Sequence, residues 1–244
     1  FLSTLLFGIL SSIIILSHYI TFLIEEYPVL LWSFFFGLIL SGIAILFKKV
    51  ENWNFKNAKF LLPLQIYFLI FGLATAVLVQ TFNPANTEIN YIYLFFCGMI
   101  SITAMLLPGI SGAYILVLLG AYEPLLNTIK EVVKLNSEYF LNFFSFVLGA
   151  LLSVKLFSKL LTWSYRNHKD NTLSCLIGFM IGSLPSLWPW KTEQFSNETF
   201  LSNLYIPEKY FLNIEFMTGF LFIITGIMLV LIMEYISKKD ATKK

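Results

Sequence analysis

Long apolar runs separated by short polar connections fill most of the chain. Runs near the roughly 20 residues that an α-helix needs to cross a bilayer occupy about 1–24, 29–47, 60–81, 139–164, 172–188 and 214–235. None shows the short alternating segments of a transmembrane β-strand, so the pattern predicts an all-α polytopic membrane protein. A seventh stretch, 91–126, is too long for one span and is interrupted by Leu107-Pro108-Gly109-Ile110-Ser111-Gly112. Proline removes a backbone donor and glycine admits positive φ, so a continuous helix is not expected there. A re-entrant hairpin is the expected form. Downstream, Gly120-Ala121-Tyr122-Glu123-Pro124 reads as a helix end at the interface, and 127–138 as a turn or interfacial helix. The segment 189–213 reads as an interfacial loop, with Trp190, Phe195, Tyr205 and Tyr210 among its polar residues.

The apolar pattern repeats. A displacement of 141 residues carries Gly8 onto Gly149, Ser12 onto Ser153, Ser17 onto Ser158, Thr21 onto Thr162, Ser33 onto Ser174 and Gly37 onto Gly178. Apolar matches mean little in such a chain, so the small and polar coincidences carry the weight. Weak internal similarity is what transporters built from two halves show. The expected organisation is a first repeat over 1–82 and a second over 91–239, the second comprising the hairpin 91–126 and spans 139–164, 172–188 and 214–235.

Basic residues orient these halves, because Lys and Arg collect in cytoplasmic loops. Lys48, Lys49, Lys56, Lys59, Arg166, Lys169, Lys238, Lys239, Lys243 and Lys244 fall on one side if 91–138 leaves and returns on the other. Lys130, Lys134, Lys191 and Lys209 then lie outside, as does the turn Glu25-Glu26-Tyr27-Pro28. This arrangement inverts the halves and puts the C-terminus in the cytoplasm. It also predicts a counterpart hairpin for the first half ahead of Phe1; the chain opens on Phe1 instead of Met, in an apolar run without a signal-peptide pattern.

Composition narrows the class further. Only 12% of the residues are charged, against about 25% in soluble domains, and mean hydropathy is +0.79. A water-soluble globule and a disordered chain are both excluded. The net charge of +2 gives no reason to expect a nucleic-acid partner. Cys97 and Cys175 lie in apolar runs without metal-ligand spacing and read as free thiols; no metal and no cofactor is expected. The sequence carries no His-Glu-x-x-His, Gly-x-Ser-x-Gly or Walker loop, and its only aspartates, Asp170 and Asp240, fall in aqueous segments.

The candidate chemistry lies at the break and on the fourth span. Non-helical backbone at membrane depth must face protein or a water-filled cavity. A half-helix starting near Ser111 would aim N–H groups and a positive dipole end at that cavity, which suits a carboxylate or phosphate. The candidate binding residues there are Pro108, Gly109, Ser111 and Gly112, with Thr103 as a second hydroxyl. Glu123 reads as a solvated charge. Lys155 and Lys159 sit one turn apart on the face of Thr162, although a lysine at mid-membrane costs about 2.5–3.5 kcal/mol. The repeat places His18 opposite Lys159, so both halves carry a protonatable group. Snorkelling lysines and a histidine held by a hydroxyl are the plainer alternatives.

The stretch Met105-Leu106-Leu107-Pro108-Gly109-Ile110-Ser111-Gly112, followed by Leu118-Leu119-Gly120-Ala121-Tyr122-Glu123-Pro124, resembles the second signature of the bacterial polyprenyl-phosphate (undecaprenyl-phosphate) transporter family. Glu26-Tyr27-Pro28, Phe34–Leu40, Phe157–Leu161 and Gly178–Pro185 are similar to its patterns as well. Two features depart from it: the family's opening Pro-Gly hairpin has no match here, and Ala113 replaces a residue that is often small or hydroxylated. The resemblance implies a flippase, not an enzyme, that returns undecaprenyl phosphate from the outer to the inner leaflet of the cytoplasmic membrane. Its implied partner is that lipid, beside membrane lipids; a coupling ion, proton or sodium, is a further candidate partner that the sequence does not identify. A membrane enzyme acting on the same lipid, such as a phosphatase, and a small-anion transporter or channel are the rival readings.

Overall fold

The first described long helix, α1 (Pro28–Lys49), opens on a proline, whose fixed φ and missing N–H suit the first turn, and closes on Lys48 and Lys49 at its negative dipole end. The structure, a computed structural model, describes residues 8, 11–12, 19–20, 22–50, 64–81, 90–190 and 214–241. The described positions between 8 and 26 are helical. After α1 come α2 (Leu64–Thr81), α3 (Tyr91–Leu106), α4 (Gly112–Leu118), α5 (Tyr122–Val133), α6 (Phe140–Asn167), α7 (Lys169–Ser183) and α8 (Ile214–Ala241). Short 3₁₀ turns precede α6 at Ser137–Tyr139 and follow α7 at Leu184–Leu187. Among the described residues there is no strand. The helices α1, α2, α6 and α8 are long and apolar enough to cross a membrane, and α4 and α5 form a pair bent by 107°. The chain is an all-α polytopic membrane protein.

Two departures from the sequence pattern are local. The helix α7 begins at Lys169 and stops at Ser183, because Pro185 converts the rest of the expected span into a 3₁₀ turn. The helix end expected at Gly120–Pro124 is present, with α4 stopping at Leu118 and Gly120 at φ +64°, but Tyr122, Glu123 and Pro124 also open a new helix as the first turn of α5.

The described helices belong to two units, residues 43–184 and residues 1–42 with 185–244. Within the first unit α2 packs along α7 and α3 along α6. Glycines set how near these helices come. A Cβ on Gly72 would overlap the carbonyl oxygen of Cys175, and one on Gly178 that of Leu69. In the other pair, Gly149 meets Phe95 and Gly98 meets Phe146 in the same way. Lipid tails give apolar faces no reason to leave them, so membrane helices associate through this close backbone approach.

The second unit uses the same device. A Cβ on Gly37 would overlap the carbonyl of Ile223, and one on Gly226 would lie 2.5 Å from that of Phe34. Displacement by 141 residues carries Phe34 and Gly37 onto Cys175 and Gly178. Displacement by 154 carries Leu69 and Gly72 onto Ile223 and Gly226. Thus the two glycine–carbonyl contacts of one pair recur in the other. Ser33 and Ser174, also related by 141, are both fully buried.

Gly178→Leu should therefore destabilise the protein by about 1–3 kcal/mol through overpacking. Gly8→Leu should be nearly silent, because nothing lies within 4 Å of a Cβ there. Thermal unfolding of the two variants in detergent checks the contrast.

Candidate functional site

The helix α3 starts cleanly, with Asn90 Oδ1 accepting from the Tyr93 N–H at 2.8 Å. It ends at Leu106, where Leu107 turns to an extended conformation. Gly109 then adopts φ +92°. A Cβ on Gly109 would lie 2.5 Å from Ser183 Oγ, 2.9 Å from Ser183 Cβ and 3.0 Å from the Phe179 carbonyl oxygen. The bare backbone at Gly109 is thus pressed onto the last turn of α7. Ser183 donates to the Met180 carbonyl at 2.8 Å, which fixes its side chain beneath that contact.

Ser111 caps α4: its Oγ accepts from the Tyr114 N–H at 3.3 Å, satisfying one of the free donors of the helix start. Gly112 rests on α3, where Ser101 Oγ donates to its carbonyl at 2.9 Å. A Cβ on Gly112 would stand 2.6 Å from the Ser101 carbonyl oxygen. At the far end of α4, the Tyr93 hydroxyl donates to the Leu119 carbonyl at 2.6 Å, and Gly120 makes the elbow with φ +64°. Leu94, Cys97, Leu116, Ala121 and Leu125 pack together behind this hairpin.

The sequence expectations divide here. Pro108, Gly109, Ser111 and Gly112 do come together, between α3 and the end of α7. The Thr103 hydroxyl bonds within α3 and across to α6, with Met99 O at 2.8 Å and Ser153 Oγ at 2.6 Å. Thr103 also lines an apolar groove of about 400 Å³ together with Thr75, Met99, Leu107, Ile110 and Phe179. The groove therefore begins beside the break. Lys155 and Lys159 are exposed on α6, on a different side from Gly149 and Ser153, which pack against α3. The structure places neither lysine among the hairpin's contacts. His18 lies outside the described residues.

Two residues that hold the break, Ser101 and Ser183, and Ser153, which bonds α3 at Met99 and Thr103, are absent from the sequence-derived site. Ser101 continues the small-residue stripe Cys97, Gly98, Ser101, Ala104, whose spacing marks a packed helix face. Ser153 was visible only as the repeat partner of Ser12. Among the described residues no group of His, Cys, Asp and Glu is placed to hold a metal.

The profile of the undecaprenyl phosphate translocase-like (VCA0040-like) family matches residues 1–203. The chain belongs to that family. A polyprenyl-phosphate transporter of Vibrio cholerae is 37% identical over 191 residues, which are 78% of this chain and 58% of that protein. A polyprenyl-phosphate transporter of Staphylococcus aureus is 29% identical over 200 residues, 78% of this chain and 68% of that protein. The chain thus spans just under three fifths of the length of the first relative. No solved structure matches it.

Proposed function

We propose that this chain belongs to a transporter that returns a polyprenyl phosphate from the outer to the inner leaflet of a bacterial cytoplasmic membrane. The match to the translocase-like family over residues 1–203 carries this reading, and the geometry of the Pro-Gly break is consistent with it. Seven residues of α4 extend about 10 Å and sixteen of α3 about 24 Å. Both are short of a hydrocarbon core of about 30 Å, so a hairpin entering from one surface would turn back inside the membrane. A turn there brings backbone donors and the Ser111 hydroxyl to the depth a phosphate must cross. The groove beside Ile110 and Leu107 would receive the first part of the prenyl chain.

The recurring glycine contacts support two structurally equivalent halves, and the distribution of Lys and Arg supports their inversion. In this arrangement Lys159 and Lys155, exposed on α6, supply positive charge along the path of the phosphate, and His18 is the protonatable residue at the equivalent place in the other half. The C-terminus is cytoplasmic. Cysteines placed at positions 90 and 134 should react with an impermeant reagent added outside intact cells, and those at 168 and 239 only after permeabilisation. Positions 90 and 168 reacting from the same side would end the inverted arrangement.

Depletion of the protein should raise the undecaprenyl phosphate that a membrane-impermeant phosphate-binding probe detects on cells. Unchanged surface lipid on depletion, in cells with no second transporter, overturns the proposal. A phosphatase would instead change the total lipid phosphate, and a small-anion carrier would leave the lipid untouched.

A further inference from the structure

The helix α5 divides its surface into three sectors. Ala121, Leu125 and Thr128 are buried against the hairpin and neighbouring helices. About 100° further round, at 100° per residue, Tyr122, Leu126, Ile129 and Val133 form an apolar stripe, every member of it exposed. The remaining sector carries Glu123, Asn127, Lys130, Glu131 and Lys134. A helix with one apolar and one polar exposed face needs hydrocarbon on one side and water on the other.

The end of α5 points the same way. The Asn136 N–H donates to Glu131 O at 3.0 Å and the Leu135 N–H to Val132 O at 2.9 Å, a Schellman closure. That closure puts Leu135 at φ +63°, where glycine is the residue without penalty. Leu135 is nevertheless 80% exposed and Val133 77%. Side chains with so little protein contact gain nothing from the fold, whereas immersion in lipid would reward both.

We propose that α5 lies in the plane of the membrane–water interface, its Tyr122–Leu126–Ile129–Val133 stripe and Leu135 in the acyl layer and its charged sector in water. The 107° bend at Gly120 then turns α4 from that plane into the bilayer. The helix acts as a float that fixes the depth of the Pro-Gly break. The inference rests on the protein being a membrane protein and is independent of its cargo.

The charged sector carries two glutamates and two lysines, a net charge of zero. Lys134 bonds Glu131 at 2.7 Å and Asn136 bonds it at 3.3 Å. These hydrogen bonds, that from Lys134 first, hold the Glu131 carboxyl below its usual range, so the pair stays ionised at neutral pH. With no net charge to attract anionic headgroups, seating depends on the apolar stripe, and the occupant of that face is the acyl layer of any bilayer.

Spin labels on single cysteines at 126, 129, 133, 127, 130 and 134, with Cys97 and Cys175 replaced by Ala, test this in reconstituted vesicles. Collisions with oxygen should dominate at 126, 129 and 133, and collisions with a water-soluble nickel chelate at 127, 130 and 134. The pattern should be the same in phosphatidylcholine alone and with phosphatidylglycerol added. Access of the chelate to all six positions, or shielding of 126, 129 and 133 from both reagents, overturns the proposal; so does a pattern that needs the anionic lipid. Because Cys97 is buried, the cysteine-free parent must first match the native protein in thermal unfolding. A mismatch moves the same six labels into a background that keeps the buried Cys97 and replaces only the partly exposed Cys175.

Discussion

Replacing Gly109 by alanine should cost about 2–5 kcal/mol of stability and most of the folded protein's activity. Two separate penalties combine. The left-handed backbone charges an L-residue about 1–2 kcal/mol, and the φ of +92° leaves Gly109 far from any ordinary conformation for alanine. The new Cβ would also sit 2.5 Å from Ser183 Oγ and 3.0 Å from the Phe179 carbonyl, an overlap of the kind that costs about 1–3 kcal/mol. Against a total stability of about 5–15 kcal/mol, that is a large fraction. The second-site variant separates the penalties: Ser183→Gly combined with Gly109→Ala removes the overlap with the serine and leaves the φ strain and the Phe179 contact. Thermal unfolding in detergent should show the single variant melting well below the parent and the double variant recovering part of the difference. A single variant that melts with the parent would mean that the break does not rest on α7.

Lys159→Met should fold and insert normally yet lose transport by at least about tenfold. A lipid phosphate monoester carries about −1.5 to −2 charges at neutral pH, by analogy with phosphorylated side chains. A helix end offers about half a charge, and α4 has only seven residues. A cation is therefore needed along the path. Hydrogen bonds to charged groups contribute about 1.5–3 kcal/mol, and each 1.4 kcal/mol is a factor of about ten. Lys159 is exposed on α6, so its replacement removes no buried side chain. Lys159→Arg should keep part of the activity. Lipid-phosphate uptake into proteoliposomes, normalised to folded protein, decides the matter: a Met variant that transports at the parental rate removes Lys159 from the phosphate's path.

The spans and the break were legible because they depend on local chemistry: unbroken apolar length, and Pro-Gly where no helix can continue. Gly120–Pro124 showed where α4 ends but not that α5 starts there. A proline stops a helix from within but is tolerated in the first turn, and here Pro124 belongs to the turn that opens α5. The repeat was legible only where it runs ungapped. The displacement is 141 for Gly37 and Gly178 but 154 for Gly72 and Gly226, because the connections before the last spans differ in length. The direction of Thr103 was not legible at all. A helix pattern shows which face a hydroxyl occupies, whereas its bond to Ser153 depends on an element fifty residues away. The lysines were readable as a pair on one face, but what that face meets is a tertiary property.

The pairing of α1 with α8 has a consequence for how the protein is made. The chain between Lys49 and Ile214 must be synthesised before the contacts of Gly37 with Ile223 can form. At about 5–20 residues per second, α1 waits on the order of ten seconds or more after leaving the ribosome for its partner. Its small-residue face, with Ser33, Gly37 and Ser41 now buried, is bare throughout that interval. The helices of residues 43–184 can meet one another earlier. The capture of α8 by α1 is therefore expected to follow the contacts among the helices of residues 43–184, and α1 needs protection until α8 emerges.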